Sequence, residues 1–125
     1  MDNYTLQPGS KTPFMQFNMT SGVFEISGRS IPENSIAFYK PLLDWVDEYV
    51  KSPNIKTVLS IKLEYFNTSS SKCLVELFRK LESVNEKSEV TVQWYYDEED
   101  EDMLESGQDF QFILAIPFEL IPMEE

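Results

Sequence analysis

Residues 56–66 constrain the fold more than any other stretch of the chain. In Lys56-Thr57-Val58-Leu59-Ser60-Ile61-Lys62-Leu63-Glu64-Tyr65-Phe66, Leu59, Ile61, Leu63 and Tyr65 alternate with Ser60, Lys62 and Glu64. This is the period-two pattern of a strand packed on one face and wet on the other. The flanking segments carry a different period. Ile36, Tyr39, Leu42, Leu43, Val46, Tyr49 and Val50 recur as one helical stripe before it. Leu74, Leu77, Phe78, Leu81 and Val84 form a second stripe after it, predicting a helix over 69–85. A one-sided strand flanked by one-sided helices predicts two layers, helices on one face of a sheet.

The remaining elements follow from punctuation and alternation. Residues 1–11, broken by Pro8 and Gly9, are expected to be loosely ordered. Phe14–Met19 and Val23–Ser27 read as strands joined at Thr20-Ser21-Gly22, a hairpin. Ser30 stands three residues before Glu33, the spacing of a capping box, and Pro32 suits a first helical turn. Pro41, inside the first stripe, predicts a kink or a broken first turn, and Ser52-Pro53-Asn54 closes that helix. Glu89–Tyr96 alternates as a strand. Asp97–Ser106 is acidic and predicts a short helix stopped near Gly107, with the last strand over Phe110–Ile116 and a continuation past Pro117 left open. The predicted order is β-β-α-β-α-β-α-β: an α/β, two-layer sandwich with a mixed β-sheet and helices mainly on one face. At 125 residues, 1–125 is a single domain.

Composition excludes much chemistry. Ten basic residues against 22 acidic ones give a formal net charge of −12, which repels phosphate backbones and anionic lipid, so neither nucleic acid nor membrane is an expected partner. With no histidine, zinc-His sites, His general bases and Ser-His or Cys-His nucleophiles are ruled out. The one cysteine, Cys73, forms no internal disulfide and suits a small buried hydrophobe. The polar N-terminus lacks the apolar core of a signal peptide, and no apolar run approaches the roughly 20 residues of a membrane span, so a cytoplasmic location is expected. Gly9, Gly22, Gly28 and Gly107 are too dispersed for a phosphate-cradling loop. Asp97-Glu98-Glu99-Asp100-Glu101-Asp102, with Glu105 and Asp109, is conspicuous. As a calcium loop it places Asp102 where Gly is required and Gln108 where Glu is required. A solvated helix start fits better, docking to a basic partner surface being the next alternative. No catalytic residue, metal or cofactor is called for.

The corner Tyr65-Phe66-Asn67-Thr68-Ser69-Ser70-Ser71-Lys72 remains. Asn, Thr and Ser at a helix start accept from unpaired backbone N–H groups, and one cap suffices for that. Four consecutive hydroxyl residues go beyond it, at a place where the helix dipole favours negative charge and Lys72 lies nearby. A phosphate is tolerable there, and Tyr65 and Phe66 offer a docking patch beside it.

Three runs resemble the SiaC family of bacterial regulatory phosphoproteins. They are Gly28-Arg29-Ser30-Ile31-Pro32-Glu33-Asn34 with Phe38-Tyr39-Lys40-Pro41-Leu42-Leu43-Asp44-Trp45, Leu63–Lys72, and Val92–Met103. The resemblance spans about Thr12 to Phe118. It implies a fold similar to STAS-like anti-sigma-factor antagonist domains and a non-enzymatic partner-switching role in biofilm and cyclic-di-GMP signalling. It further implies phosphorylation of Thr68 by a cognate protein kinase, reversal by a PP2C-type phosphatase, and activation of a diguanylate cyclase by the unmodified form. Tyr65, Phe66, Asn67, Ser69, Ser70 and Lys72 are then the switch corner around Thr68. The alternative is a constitutive scaffold that binds through its acidic loop, Thr68 being only a cap.

Overall fold

The structure, a computed structural model, describes residues 2–84 and 86–124. Met1, Asn85 and Glu125, on which the expected loose start, the end of the second helix and the end of the domain fall, lie outside the described residues. Among the described residues one six-stranded sheet repeats in space the order of the sequence. Its strands are β1 (Tyr4–Leu6), β2 (Phe14–Asn18), β3 (Val23–Ser30), β4 (Lys56–Phe66), β5 (Glu89–Asp97) and β6 (Phe118–Met123). Helices α1 (Ser35–Tyr49), α2 (Thr68–Glu82) and α3 (Glu101–Ile113) fill the connections from β3 to β6. β1, β2 and β3 pair antiparallel, and β3, β4, β5 and β6 pair parallel. Crossovers that all step in one direction with the usual right-handed sense put every helix on one face.

Burial agrees with that layering. Met15, Phe17, Phe24, Ile26, Leu59, Ile61, Leu63, Val90, Val92 and Trp94 are buried from the sheet side. Tyr39, Leu42, Val46, Leu74, Leu77, Phe78 and Leu81 meet them from the helices in one core cluster. On the open face Lys62 lies 3.8 Å from Glu25 and 4.9 Å over the Tyr95 ring.

Several elements depart from the sequence expectation. Within the stretch expected to be loose, Tyr4–Leu6 pairs with β2, Thr5 opposite Gln16. Ser30 caps no helix; it is the last residue of β3 and fully buried. Asn34 is the cap of α1, accepting from the Ala37 N–H at 3.1 Å. Ile36, assigned to the apolar stripe, is 77% exposed. α1 is unbroken through Pro41 and closes at Tyr49, before Ser52. Ala37 and Pro41 are both exposed, so the Ala37 carbonyl that loses its N–H partner stays open to water.

The expected helix stop at Gly107 and strand over Phe110–Ile116 are both wrong. α3 runs to Ile113 with Met103, Gly107 and Phe110 on its buried side, a spacing of four and three, and the last strand begins at Phe118. Gly107 is a packing residue: a Cβ there would lie 2.5 Å from Trp94 Cδ1 and 2.7 Å from Leu120 Cδ2. The Trp94 indole N–H donates to the Met103 carbonyl at 3.0 Å, tying the first turn of α3 to β5.

Candidate functional site

β3, β4 and β5 each end in a turn that opens a helix, so the starts of α1, α2 and α3 share the sheet edge at the carboxyl ends of the parallel strands. In open α/β sheets ligands bind at this edge where the strand order reverses; here the order never reverses, so the edge carries no such switch point. The corner singled out in the sequence lies at its centre.

A bulge shapes the approach to it. Pairing of β3 with β4 steps from Gly28 opposite Leu63 to Arg29 opposite Tyr65, leaving Glu64 unpaired. Gly28 takes a φ of +101°, a conformation strained for a residue with a Cβ. Past the bulge the alternation reverses. Tyr65 was expected inward with Leu63 and is 54% exposed, while Phe66 turns to the helix side. The Phe66 ring meets Trp94 edge-on at 5.9 Å and Phe110 at 6.3 Å, so half of the expected aromatic patch faces the core.

Asn67 closes the strand and starts the helix. Its backbone N–H donates to the Ser30 carbonyl at 3.0 Å. Its side-chain oxygen accepts from the Ser70 N–H at 2.9 Å, a true N-cap, and its amide Nδ2 donates to the Pro32 carbonyl at 3.3 Å. One residue therefore anchors β4, α2 and the β3–α1 turn.

The four hydroxyls after it fall into different environments. Ser70 is fully buried, donating to the Ser30 carbonyl at 3.0 Å and accepting from Ser30 Oγ at 2.8 Å. Tyr39 Oη lies 2.6 Å from Ser30 Oγ, completing a buried hydroxyl chain. Burial pushes the Tyr39 phenol up to about 12, the Ser30 hydrogen bond opposing it. Ser69 Oγ is 2.7 Å from Ser35 Oγ and donates to Asn67 Oδ1 at 3.2 Å. Ser71 is half-buried, with its N–H on the Asn67 carbonyl at 3.0 Å. Thr68, the first residue of α2, is exposed, and its hydroxyl makes no hydrogen bond to another described residue. Lys72, one turn later and exposed, has no ion pair among the described residues. Tyr65, Phe66, Asn67, Ser69, Ser70 and Lys72 flank Thr68 in sequence, but Phe66 turns toward Trp94, Ser70 is fully buried and Tyr65 is exposed.

Ser30, Ser35 and Tyr39 support this corner from β3 and α1, a role the sequence analysis missed: it gave Ser30 to a helix cap and Tyr39 to an apolar stripe and did not single out Ser35. The available signal was strand parity: Phe24, Ile26 and Ser30 fall on one face of β3, which assigns Ser30 to the interior. Elsewhere, burial with Glu76 nearby raises the Cys73 thiol above its usual range, an inert setting. In the acidic run Asp97 accepts from the Glu99 N–H at 2.9 Å and Asp100 caps α3 through the Met103 N–H at 3.0 Å. Among the described residues no group of three or more Cys, Asp or Glu is placed to hold a metal ion, and no helix is long and apolar enough to cross a membrane.

Comparison with known proteins converges on one group. The family model described as SiaC family regulatory phosphoprotein matches residues 6–123. An uncharacterized protein of Pseudomonas aeruginosa (strain UCBPP-PA14) is 29% identical over 120 residues, 94% of this chain and 95% of its own. The crystal structure of apo-SiaC from Pseudomonas aeruginosa is similar with a TM-score of 0.88 at 26% identity, covering 97% of this chain and 99% of that one. A structure of the diguanylate cyclase SiaD in complex with its activator SiaC, from the same organism, matches with a TM-score of 0.89 at 26% identity, over 96% and 99% of the two chains.

Proposed function

The chain belongs to the SiaC family of regulatory phosphoproteins, and from that premise we propose that it is a non-enzymatic switch whose unmodified form binds and activates a diguanylate cyclase. Phosphorylation of Thr68 by a cognate kinase releases the cyclase, and a PP2C-type phosphatase restores binding. The observation that carries this is the sorting of hydroxyls at the start of α2. Ser69, itself exposed, and Ser70, buried, have hydroxyls committed to bonds within the domain, whereas exposed Thr68 has its hydroxyl uncommitted.

Release follows from local charge. A phosphate adds about −1.5 to −2 charges, and at the start of α2 the helix dipole favours it by roughly 0.3–1 kcal/mol. Against a partner surface shaped for a neutral hydroxyl the same group loses its water, at a cost of several kcal/mol. A net penalty of about 2.7 kcal/mol lowers affinity a hundredfold. Reversing the modification restores the hydroxyl with no refolding of the domain.

The test is partner affinity of the phosphorylated and unphosphorylated chain side by side, with cyclase activity measured alongside. Thr68→Ala is expected to bind and activate the cyclase and to resist the kinase. Thr68→Asp is expected to weaken binding only in part, having less charge than phosphate. Equal affinity of both forms would overturn the switch and favour a constitutive scaffold.

A further inference from the structure

Between the end of β4 and the first turn of α3 lies a groove of about 190 Å³, lined by Glu64, Tyr65, Phe66, Asp100, Asp102 and Met103 among others. It adjoins the switch corner directly, since Phe66 is separated from Thr68 only by Asn67. Its lining combines two kinds of surface. Phe66, Met103 and the Tyr65 ring are apolar; Glu64, Asp100 and Asp102 are anionic, and no Lys or Arg is among the lining residues. Asp100 is committed to capping α3. Glu64, which the bulge leaves unpaired in the β3–β4 ladder, and Asp102 are exposed, and their carboxylates make no hydrogen bond or ion pair to another described residue.

We propose that this groove takes an arginine side chain of the protein partner that covers Thr68, which deepens the reading of Thr68 as a contact switch and rests on it. Charge complementarity and continuity with the Thr68 corner select this occupant. An arginine lays its methylene stem on apolar surface and its planar guanidinium on an aromatic ring, while its fork of donors serves two carboxylates. A lysine ammonium is a compact, strongly hydrated charge and uses the ring and the paired acids less well. The chain's net charge of −12 draws a cationic partner surface toward this edge before contact. Held between Glu64 and Asp102, the guanidinium is already neutralised and does not compensate a phosphate on Thr68, so the groove adds affinity without weakening the switch.

The test has two arms. In the first, N-acetyl-arginine amide is titrated into the full chain and backbone amides are followed by NMR. Shifts localised to Glu64–Phe66 and Asp102–Met103, stronger than those from N-acetyl-lysine amide and absent in Glu64→Gln/Asp102→Asn, support the proposal. Diffuse shifts, or shifts equal in the variant, overturn it. In the second, affinity for the diguanylate cyclase is measured with unphosphorylated protein. Glu64→Gln/Asp102→Asn is expected to bind roughly tenfold more weakly with a flatter salt dependence, while Glu89→Gln/Glu119→Gln, removing equal charge near the opposite ends of the strands, stays within about twofold of wild type. If both pairs bind like wild type while phosphorylation of Thr68 still releases the cyclase, the groove proposal falls and the switch stands. If the chain takes arginine in the groove yet binds the cyclase equally in both phosphorylation states, the switch falls and the arginine site stands.

Discussion

Ser35 and Ser69 place their hydroxyl oxygens 2.7 Å apart, joining the first turns of α1 and α2 across the sheet edge. Both residues sit just inside Asn-capped helices, Asn34 for one and Asn67 for the other. Two positive dipole ends are thereby held side by side at the corner that presents Thr68. With its neighbours bound to one another, Thr68 is displayed from a fixed frame.

That frame has a measurable strength. Ser70→Ala removes a donor to the Ser30 carbonyl and an acceptor for Ser30 Oγ inside the core. The carbonyl keeps the Asn67 N–H and the Ser30 hydroxyl keeps Tyr39 Oη, so what is lost is two buried hydrogen bonds, an expected cost of about 1–3 kcal/mol in urea unfolding. Thr68→Ala, exposed and uncommitted, should cost no more than about 0.5 kcal/mol. Equal losses from the two variants would contradict the sorting of hydroxyls.

Tyr39 makes stability depend on alkaline pH. Its folded-state value of about 12 lies above the ordinary 10.0, so between those values the unfolded chain loses a proton that the folded chain keeps. Stability contributed by the neutral phenol is therefore complete below pH 10 and declines as pH rises toward 12, by about 2–3 kcal/mol in all. Denaturant melts across this window should show the decline in wild type and a flatter profile in Tyr39→Phe.

Gly107→Ala opposes two effects. Alanine gains roughly 1 kcal/mol of helix propensity, yet its Cβ lands 2.5 Å from Trp94 and 2.7 Å from Leu120. Overpacking of this kind costs about 1–3 kcal/mol, so a lower melting temperature and an altered Trp94 fluorescence are expected. A variant more stable than wild type would show that α3 moves away from the sheet without cost.

Phe78→Ala probes the layer interface. Phe78 is fully buried, with its ring 5.3 Å from Phe110 and 5.7 Å from Phe118. Its loss should cost about 3–5 kcal/mol, most of the stability of a small domain. Chemical denaturation reads this directly, and a melt within about two degrees of wild type would place α2 on the sheet differently.

What was legible in the sequence is what local periodicity carries. β4 has the predicted bounds, the hairpin of β2 and β3 forms, and the α2 stripe packs as expected beneath Asn67. Misread features depend on residues distant in sequence. The bulge that turns Tyr65 outward is a property of the β3–β4 pair, visible only when Gly28 is set opposite Leu63. Ser30 has the spacing of a cap, but its hydroxyl partners are nine and 40 residues away. Phe110, Phe112, Ile113, Leu114 and Ile116 suit either a strand or a helix end, and the Asp100 cap with the Gly107 contact to Trp94 selects the helix. Around Thr68, the strand-to-helix corner was readable and the differing commitments of Thr68, Ser69 and Ser70 were not, because those depend on what α1 brings alongside.

The identity of strand order and chain order bears on how the molecule is assembled during synthesis. Each strand emerging after β1 finds its neighbour already made, so no gap in the sheet waits for a later segment. Each parallel pairing closes over one helix, a separation of about 26–36 residues, and such pairings form more slowly than the β2–β3 hairpin. The vulnerable moment is late: until β6 docks, β5 is a bare edge carrying Val92, Trp94 and Tyr96. The acidic run follows that edge directly, setting like charges beside it, the kind of flank that opposes pairing of one exposed edge with another.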